Sequence, residues 1–318
     1  MLKTFDIVIV NWNSGIQLKD CVESIMNSLY DNCILNKIVV VDNDSKDDSL
    51  RLVEKLNYEK LEIIKNQSNL GFGKACNIGA KKSSSDFILF LNPDAMVYKD
   101  TFQKLFEYIN KNDTKNVAVY GVQLLGEGEK IQKTCARFPT LSTFIFRSLG
   151  LNKLNSEMFK SYTMENWDHF HSRVVDQVMG AFFLVKRKIF EQLNGFDDRY
   201  FVYFEEVDFS KRLRDNNFYS LYVTEAQAYH AGGGASKQVK AFRLFFSLRS
   251  RLLYGFKHFS RWQAWLFVML TCGVEPFVRI SYSIVRRDWP AIKNTLKAYC
   301  MLWMGMNKIV RGVGRFEP

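Results

Sequence analysis

Tyr203-Phe204-Glu205-Glu206-Val207-Asp208 crowds carboxylates into one short string. Phe90-Leu91-Asn92-Pro93-Asp94 comes before it, and His230 follows in Ala228-Tyr229-His230-Ala231-Gly232-Gly233. A carboxylate where a strand ends, an acidic cluster opening a helix and a later imidazole suit metal-assisted group transfer from a phosphorylated donor. Such a displacement needs a carboxylate to take the acceptor's proton and positive charge to stabilise the departing phosphate. Neighbours on a helix point about 100° apart, so Glu205 and Glu206 take different roles. Glu206 is read as the base and Glu205 as the group that orients the acceptor. Asp208 stands four residues before Arg212, the favoured orientation for a helical ion pair, and is read as structural. Asp94 offers a hard oxygen ligand for Mg2+ or Mn2+, and Asn92 a neutral or water-mediated one. The bland alternative for these two is a Pro-Asp turn. A lone histidine is ordinarily structural, but His230 follows a strand and precedes three glycines, which raises it as a candidate ligand.

The elements that must position these groups alternate along the first 120 residues. Apolar runs at Phe5–Val10, Lys37–Val41, Leu61–Ile64, Phe87–Leu91 and Val117–Tyr120 read as buried strands. Helical patterns at 15–29, 47–56, 73–80 and 101–109 separate them. This predicts an α/β fold, a mostly parallel Rossmann-like sheet with helices on both faces. In such sheets the ligand lies beyond the carboxyl ends of the strands, where Asp42 and Asp94 fall. Asp42, in Val41-Asp42-Asn43-Asp44-Ser45, is suited to accept hydrogen bonds from a base or a ribose, or else to cap the next helix. In Asn69-Leu70-Gly71-Phe72-Gly73-Lys74-Ala75-Cys76-Asn77, the glycines allow close backbone approach to a nucleotide. The motif follows the third strand and lacks the full Gly-x-Gly-x-x-Gly spacing, which weighs against a dinucleotide oxidoreductase. Residues 137–171 show no clear pattern. A strand at 178–185, a helix at 186–193, the helix opened by the acidic string and a strand at 219–223 complete this part.

Charge divides the chain. Its net charge is +11, and from Lys237 onward 15 Lys and Arg face Glu275, Asp288 and Glu317, so the first 236 residues sum to −1. We therefore read residues 1–236 as one domain and 237–318 as a basic, aromatic helical tail. Four of the six tryptophans (Trp262, Trp265, Trp289 and Trp303) lie in that tail. Its runs Trp265–Leu270 and Tyr299–Met304 are too apolar for a solvated nucleic-acid groove, so nucleic acid is excluded as a partner. Its longest uncharged stretch, Trp262–Val274, is 13 residues, short of the roughly 20 that span a bilayer. An interfacial anchor on an anionic membrane is the expectation, with a soluble helical cap or a homo-oligomer surface as the alternatives. The N-terminus reads as a strand rather than a signal peptide. The six cysteines show neither metal spacing nor a disulfide framework, as expected of reduced thiols in the cytosol.

Taken together, these blocks resemble a known family. The valine strand ending in Asp42-Asn43, Asn-x-Gly-Phe-Gly-x-Ala-x-Asn-x-Gly, Leu-Asn-Pro-Asp, Gly-Ala-Phe-Phe-Leu-Val-Lys-Arg and Gly-Phe-Asp-x-x-Tyr-Phe-x-Tyr-Phe-Glu-Glu-Val-Asp occur in that family's order. They are similar to inverting nucleotide-sugar glycosyltransferases of family 2, with the GT-A fold. The likeness covers about residues 5–235 and is strongest to bacterial rhamnosyltransferases of O-antigen and cell-wall assembly, which residues 137–153 also resemble. It implies that Asp42 contacts the base, and that Asn69, Gly71 and Asn77 line the nucleotide pocket. Asn92 and Asp94 would stand at the family's metal-binding Asp-x-Asp, His230 would be the late ligand, Gly232–Gly234 after it part of a mobile lid, and Glu206 the base. Asn92 replaces an aspartate, and Glu206 replaces the second residue of the usual Glu-Asp pair. The implied reaction moves L-rhamnose from dTDP-L-rhamnose to a polyprenyl-diphosphate-linked saccharide at the cytoplasmic face of the bacterial inner membrane. The alternatives are a hexosyltransferase using a UDP-sugar and a non-catalytic membrane-associated binding subunit. A nucleotidyltransferase is disfavoured because Asn11-Trp12-Asn13-Ser14-Gly15 has no Arg or Lys for a triphosphate.

Overall fold

The computed structural model describes residues 2–112, 114–151, 158–159, 161–232 and 240–312. The chain divides into two compact units. One comprises Met1–Arg137, Thr163–Asp197 and Glu206–Ala235, and the other Phe138–Tyr162, Asp198–Glu205 and Ser236–Pro318.

The first unit is built on a sheet of nine strands. These are β1 (Lys3–Asn11), β2 (Cys33–Asp42), β3 (Leu61–Lys65), β4 (Phe87–Leu91), β5 (Ala95–Val97), β6 (Val117–Leu125), β8 (Arg173–Val175), β10 (Phe182–Lys186) and β11 (Tyr219–His230). The order is β3-β2-β1-β4-β10-β6-β11-β5, with β8 also on β11. A two-stranded sheet joins β7 (Cys135–Ala136) to β9 (Gln177–Val178). The pairs β2–β3, β1–β2, β1–β4 and β6–β11 are parallel, while β10 runs antiparallel to both β4 and β6.

Alternation along these strands fills a core on each face. Phe5, Ile7 and Ile9 of β1 face one core with α1 (Ile16–Met26), α2 (Ser49–Glu54) and α4 (Thr101–Lys111). Val8 and Val10 face the other, with α3 (Phe72–Ala80), α6 (Arg187–Gln192) and α7 (Glu205–Asp215). The expected helices on both faces are present. Helix α3 packs so tightly that a Cβ on Gly79 would lie 2.4 Å from Val8 Cγ1, which is why a glycine sits there.

Two expected strands take a different form. The run 178–185 is split: Gln177–Val178 pairs with β7, Gly180 and Ala181 carry the chain across, and Phe182–Lys186 joins the main sheet. The strand expected at 219–223 continues to His230, with a register shift between Val223 and Gln227.

The second unit holds α5 (Leu141–Ser148), α8 (Lys240–His258), α9 (Arg261–Met269), α10 (Glu275–Val285) and α11 (Trp289–Val310). A capping box starts α5 inside the segment that had no readable pattern. Thr143 N–H donates to Thr140 Oγ1 (3.3 Å), and Thr140 N–H donates to Thr143 Oγ1 (2.9 Å). Phe144 stacks on Phe267 at 4.5 Å, and the Arg251 guanidinium lies 5.2 Å over the Phe144 ring. A π-helical turn, Leu270–Val274, joins α9 to α10, so that Arg261–Val285 is one helical run of 25 residues. Among the described residues it alone is long and apolar enough to cross a membrane, with mean hydropathy 1.3. All six cysteines are free thiols. Cys21, Cys33, Cys76 and Cys135 are buried, and Cys300 is exposed.

Candidate active site

The carboxyl ends of β1 and β2 are tied by side chains. Asp42 is 4% exposed, and both its carboxylate oxygens are engaged. Asn11 Nδ2 donates to Oδ1 (2.8 Å), and the Ser45 backbone N–H donates to Oδ2 (3.1 Å). The same Asn11 amide reaches Ser49 Oγ (2.8 Å) at the start of α2. Asn43, the next residue, donates to Gly71 O (3.1 Å) and accepts from Asn66 Nδ2 (2.8 Å). Asn69 Oδ1 accepts the Gly71 N–H at 2.9 Å, and Gly71 has φ of 83°, a conformation that favours glycine. Asp42, Asn69 and Gly71 are thus brought together by the loops after β2 and β3. The Asn77 amide bonds elsewhere. Its Nδ2 donates to Phe196 O (2.7 Å) and its Oδ1 accepts from Phe196 N (2.9 Å), latching α3 to the turn after α6.

The second cluster gathers at the end of β4. Asn92 is held by its backbone, donating to Ala181 O (3.0 Å) and accepting from Ala95 N (3.1 Å). Residues 95–97 then form β5, antiparallel to Ala228–His230 at the end of β11. That pairing sets His230 opposite Ala95 and brings His230 Nε2 to 3.5 Å from Asp94 Oδ1. Both side chains are about nine-tenths buried, with 9% and 11% exposed.

Gln132 fixes how this imidazole presents itself. Its Nε2 donates to the His230 carbonyl (2.7 Å), so its Oε1 is the atom 2.9 Å from His230 Nδ1. An amide oxygen only accepts, so Nδ1 carries the proton. In the neutral ring the Nε2 lone pair then faces the Asp94 carboxylate. A carboxylate and an imidazole nitrogen 3.5 Å apart suit a shared cation such as Mn2+, whereas Mg2+ favours oxygen ligands, here Asp94 with phosphates. Among the described residues no group of three or more His, Cys, Asp or Glu is placed to hold a metal ion.

Glu205 and Glu206 open α7. Before them, Tyr203 and Phe204 are consecutive non-glycine residues with φ of 68° and 73°, a strained entry of the kind that persists where the surroundings over-determine it. Glu205 is 5% exposed. Glu206 lies over Gly180, where a Cβ would come within 3.8 Å of its own Cβ and Cγ. Ala181, next to Gly180, is the residue whose carbonyl holds Asn92, so Glu206 and the Asp94 loop flank one short segment. Glu206 Oε2 is enclosed and has no hydrogen-bond partner among the described residues. Burial raises its carboxyl above the usual range, opposed by the backbone N–H groups of Glu206 and Val207. Asp208 is fully buried and pairs with Arg212 (2.8 Å), whose guanidinium also donates to Gly195 O (2.8 Å), a structural tie as expected.

Sequence reasoning missed Asn11, Asn43 and Gln132. Asn11 was legible as a polar residue ending a buried strand. Gln132 stands 98 residues from His230 and carries no local signal.

Comparison with known proteins places this geometry. Residues 6–193 match the model of the family described as "Glycosyl transferase family 2". Rhamnosyltransferase WbbL of Escherichia coli is 31% identical over 67% of this chain and 79% of its own. A low-salt glycan biosynthesis hexosyltransferase, Agl10 of Haloferax volcanii, is 24% identical over 82% and 78%. An N-acetylglucosaminyl-diphospho-decaprenol L-rhamnosyltransferase of Mycobacterium tuberculosis is 23% identical over 71% and 77%. Among solved structures, the mannosyltransferase PcManGT from Pyrobaculum calidifontis, in complex with GDP-Man and Mn2+, shares the fold. Its TM-score is 0.54 at 12% identity, covering 98% of this chain and 86% of that one. The expected GT-A architecture and the expected enzyme class both hold, and the chain belongs to glycosyl transferase family 2.

Proposed function

We propose that the chain is an inverting, metal-dependent rhamnosyltransferase. It moves L-rhamnose from dTDP-L-rhamnose onto a polyprenyl-diphosphate-linked saccharide at the cytoplasmic face of a bacterial inner membrane. The observation that carries the chemistry is the approach of His230 Nε2 to Asp94 Oδ1 (3.5 Å), with Glu206 enclosed over Gly180 next to the residue that holds Asn92. The rhamnose donor rests on the two rhamnosyltransferase relatives, and the lipid-linked acceptor on the decaprenol named for one of them. A hexose from a UDP-sugar is the second reading; a hexosyltransferase whose name states no donor is among the relatives.

In the proposed reaction Glu206 takes the proton of the acceptor hydroxyl. That oxygen bonds to the anomeric carbon as the carbon–phosphate oxygen bond breaks, and the nucleoside diphosphate leaves. Asp94 and His230, with Asn92 beside them, would hold Mg2+ or Mn2+, which would supply positive charge against the diphosphate. Asn69 and Gly71 shape the nucleotide pocket. Asp42, braced by Asn11 and Ser45, presents a fixed carboxylate to the base, and Asn77 holds the pocket's helix in place. Glu205 orients the acceptor.

The test is donor consumption by the purified protein with a panel of nucleotide sugars and a short-chain lipid-diphosphate N-acetylglucosamine acceptor. Consumption of dTDP-rhamnose, abolished by EDTA and restored by Mn2+, is the expected result. Turnover of a UDP-sugar alone would establish the second reading.

A further inference from the structure

We propose that the helical run Arg261–Val285 lies in the plane of an anionic bilayer surface and does not cross it. This rests on the lipid-linked acceptor of the reading above. One stripe of the run is committed to protein: Ala264, Phe267, Val268, Thr271, Glu275 and Pro276 are buried at helical spacing. The opposite stripe carries Trp262, Trp265, Met269 and Phe277, which are 66%, 44%, 63% and 71% exposed. A spanning helix would have to bring Glu275 to lipid depth. Glu275 is instead 1% exposed and held by Arg251 (3.1 Å), Arg279 (2.7 Å) and Ser148 (2.9 Å).

Helix α11 repeats the design. Trp289, Leu296, Cys300, Trp303 and Met304 form an exposed stripe opposite buried Thr295, Ala298, Tyr299, Leu302 and Ile309. Exposed basic residues Arg261, Arg286, Arg287, Lys293, Lys297 and Lys308 accompany these stripes, with Asp288 the exposed acid among them. Tryptophan with basic side chains suits the headgroup boundary, and anionic lipid attracts each nearby basic residue.

The full chain is mixed with phosphatidylcholine vesicles, with or without phosphatidylglycerol. Flotation is expected only with phosphatidylglycerol, at least about tenfold stronger and weakened by salt. Bound protein should react several-fold more slowly at Cys300 with a charged maleimide. Trp262→Ser with Trp265→Ser should lose flotation while keeping its far-UV spectrum. Resistance of bound protein to alkaline carbonate would overturn the in-plane arrangement in favour of a span. Absence of flotation, with or without self-association, would overturn the seat itself. Donor hydrolysis in solution needs no vesicle, so loss of the seat and loss of the transferase reading are separable.

A different observation carries a second inference: the geometry assigns Gln132 as the positioning residue for the metal-holding imidazole. One amide clamps His230 at both its carbonyl and Nδ1 (2.7 and 2.9 Å), while Gln132 N–H donates to Leu124 O (2.8 Å). Gly126 gives it room, since a Cβ there would lie 2.8 Å from Gln132 Nε2. Partners of this kind are worth about 10–100-fold in metal affinity. Mn2+ binding, read by electron paramagnetic resonance on the purified protein with dTDP, should weaken by that factor in Gln132→Leu. Gln132→Glu, which still accepts from Nδ1–H, should recover most of it. Unchanged binding in Gln132→Leu, or no recovery in Gln132→Glu, would overturn the assignment. Full Mn2+ binding by His230→Ala would instead overturn the metal site on which it rests.

Discussion

Glu206→Gln is expected to lower the transfer rate by about 10²–10⁴-fold, the usual contribution of a general base, while leaving the donor KM near its wild-type value. The amide keeps the shape of the side chain over Gly180 but cannot take a proton. Burial holds the wild-type carboxyl above the usual range. The acid limb of the kcat profile should therefore lie above that of an ordinary carboxylate, and it should vanish in the variant. The sign of the stability effect is opposite. Between the unfolded and the raised folded pKa the folded chain binds more protons, so this group's stabilisation is present at low pH and lost as pH rises through the folded value. Glu206→Gln removes that loss, so at neutral pH the variant should unfold at the same temperature as wild type or higher. Activity lost with stability kept separates a chemical role from a structural one. A kcat within a few-fold of wild type would remove Glu206 from the proposed mechanism.

The parallel half of the sheet was legible because its strands are buried on both faces and read as unbroken apolar runs. Phe87–Leu91 was placed residue for residue. What local pattern could not give was partner and direction. Phe182–Lys186 has the composition of a parallel strand but lies antiparallel between β4 and β6, because Gly180 and Ala181 return the chain to the sheet from β9. Ala95–Val97 is too short to announce itself, yet its pairing with Ala228–His230 is what sets His230 beside Asp94. Short motifs exposed the charged groups of the site. The groups that orient them, Asn11 and Gln132, are amides distant in sequence from what they hold.

Asn77 illustrates the reverse problem. Its place in a glycine-rich motif pointed to the nucleotide pocket, while its amide is committed on both sides to Phe196. The motif glycine Gly79 is likewise required by the Val8 side chain beneath it rather than by a ligand. A motif residue can be demanded by helix–sheet packing as firmly as by substrate, and spacing alone does not separate the two. Residues Gly233 and Gly234, read as part of a mobile segment after His230, lie outside the described residues.

The extent of the tail's helices was not legible from its charges for a related reason. The uncharged stretch Trp262–Val274 stops at Glu275, whereas the helix runs on through Glu275 and Arg279 to Val285 and buries the glutamate. Burial alone would raise the Glu275 carboxyl, but Arg251 and Arg279 outweigh it and hold it down, from 4.5 to about 2. Its stabilising contribution is therefore present above about pH 4.5 and lost as pH falls towards 2. Glu275→Gln should destabilise the second unit by about 3–5 kcal/mol, because Arg251, 3% exposed, is left without its counter-charge. Hydrogen exchange across residues 240–285 should speed up accordingly, and the acid-induced loss of protection there should flatten. Glu275→Leu combined with Arg251→Met should cost less than Glu275→Gln alone. Methionine keeps apolar cover over the Phe144 and Phe267 rings, which the guanidinium now overlies at 5.2 and 5.4 Å, and no charge is stranded. A double variant as unstable as the sum of its single variants would show that packing, rather than the ion pair, holds these helices together.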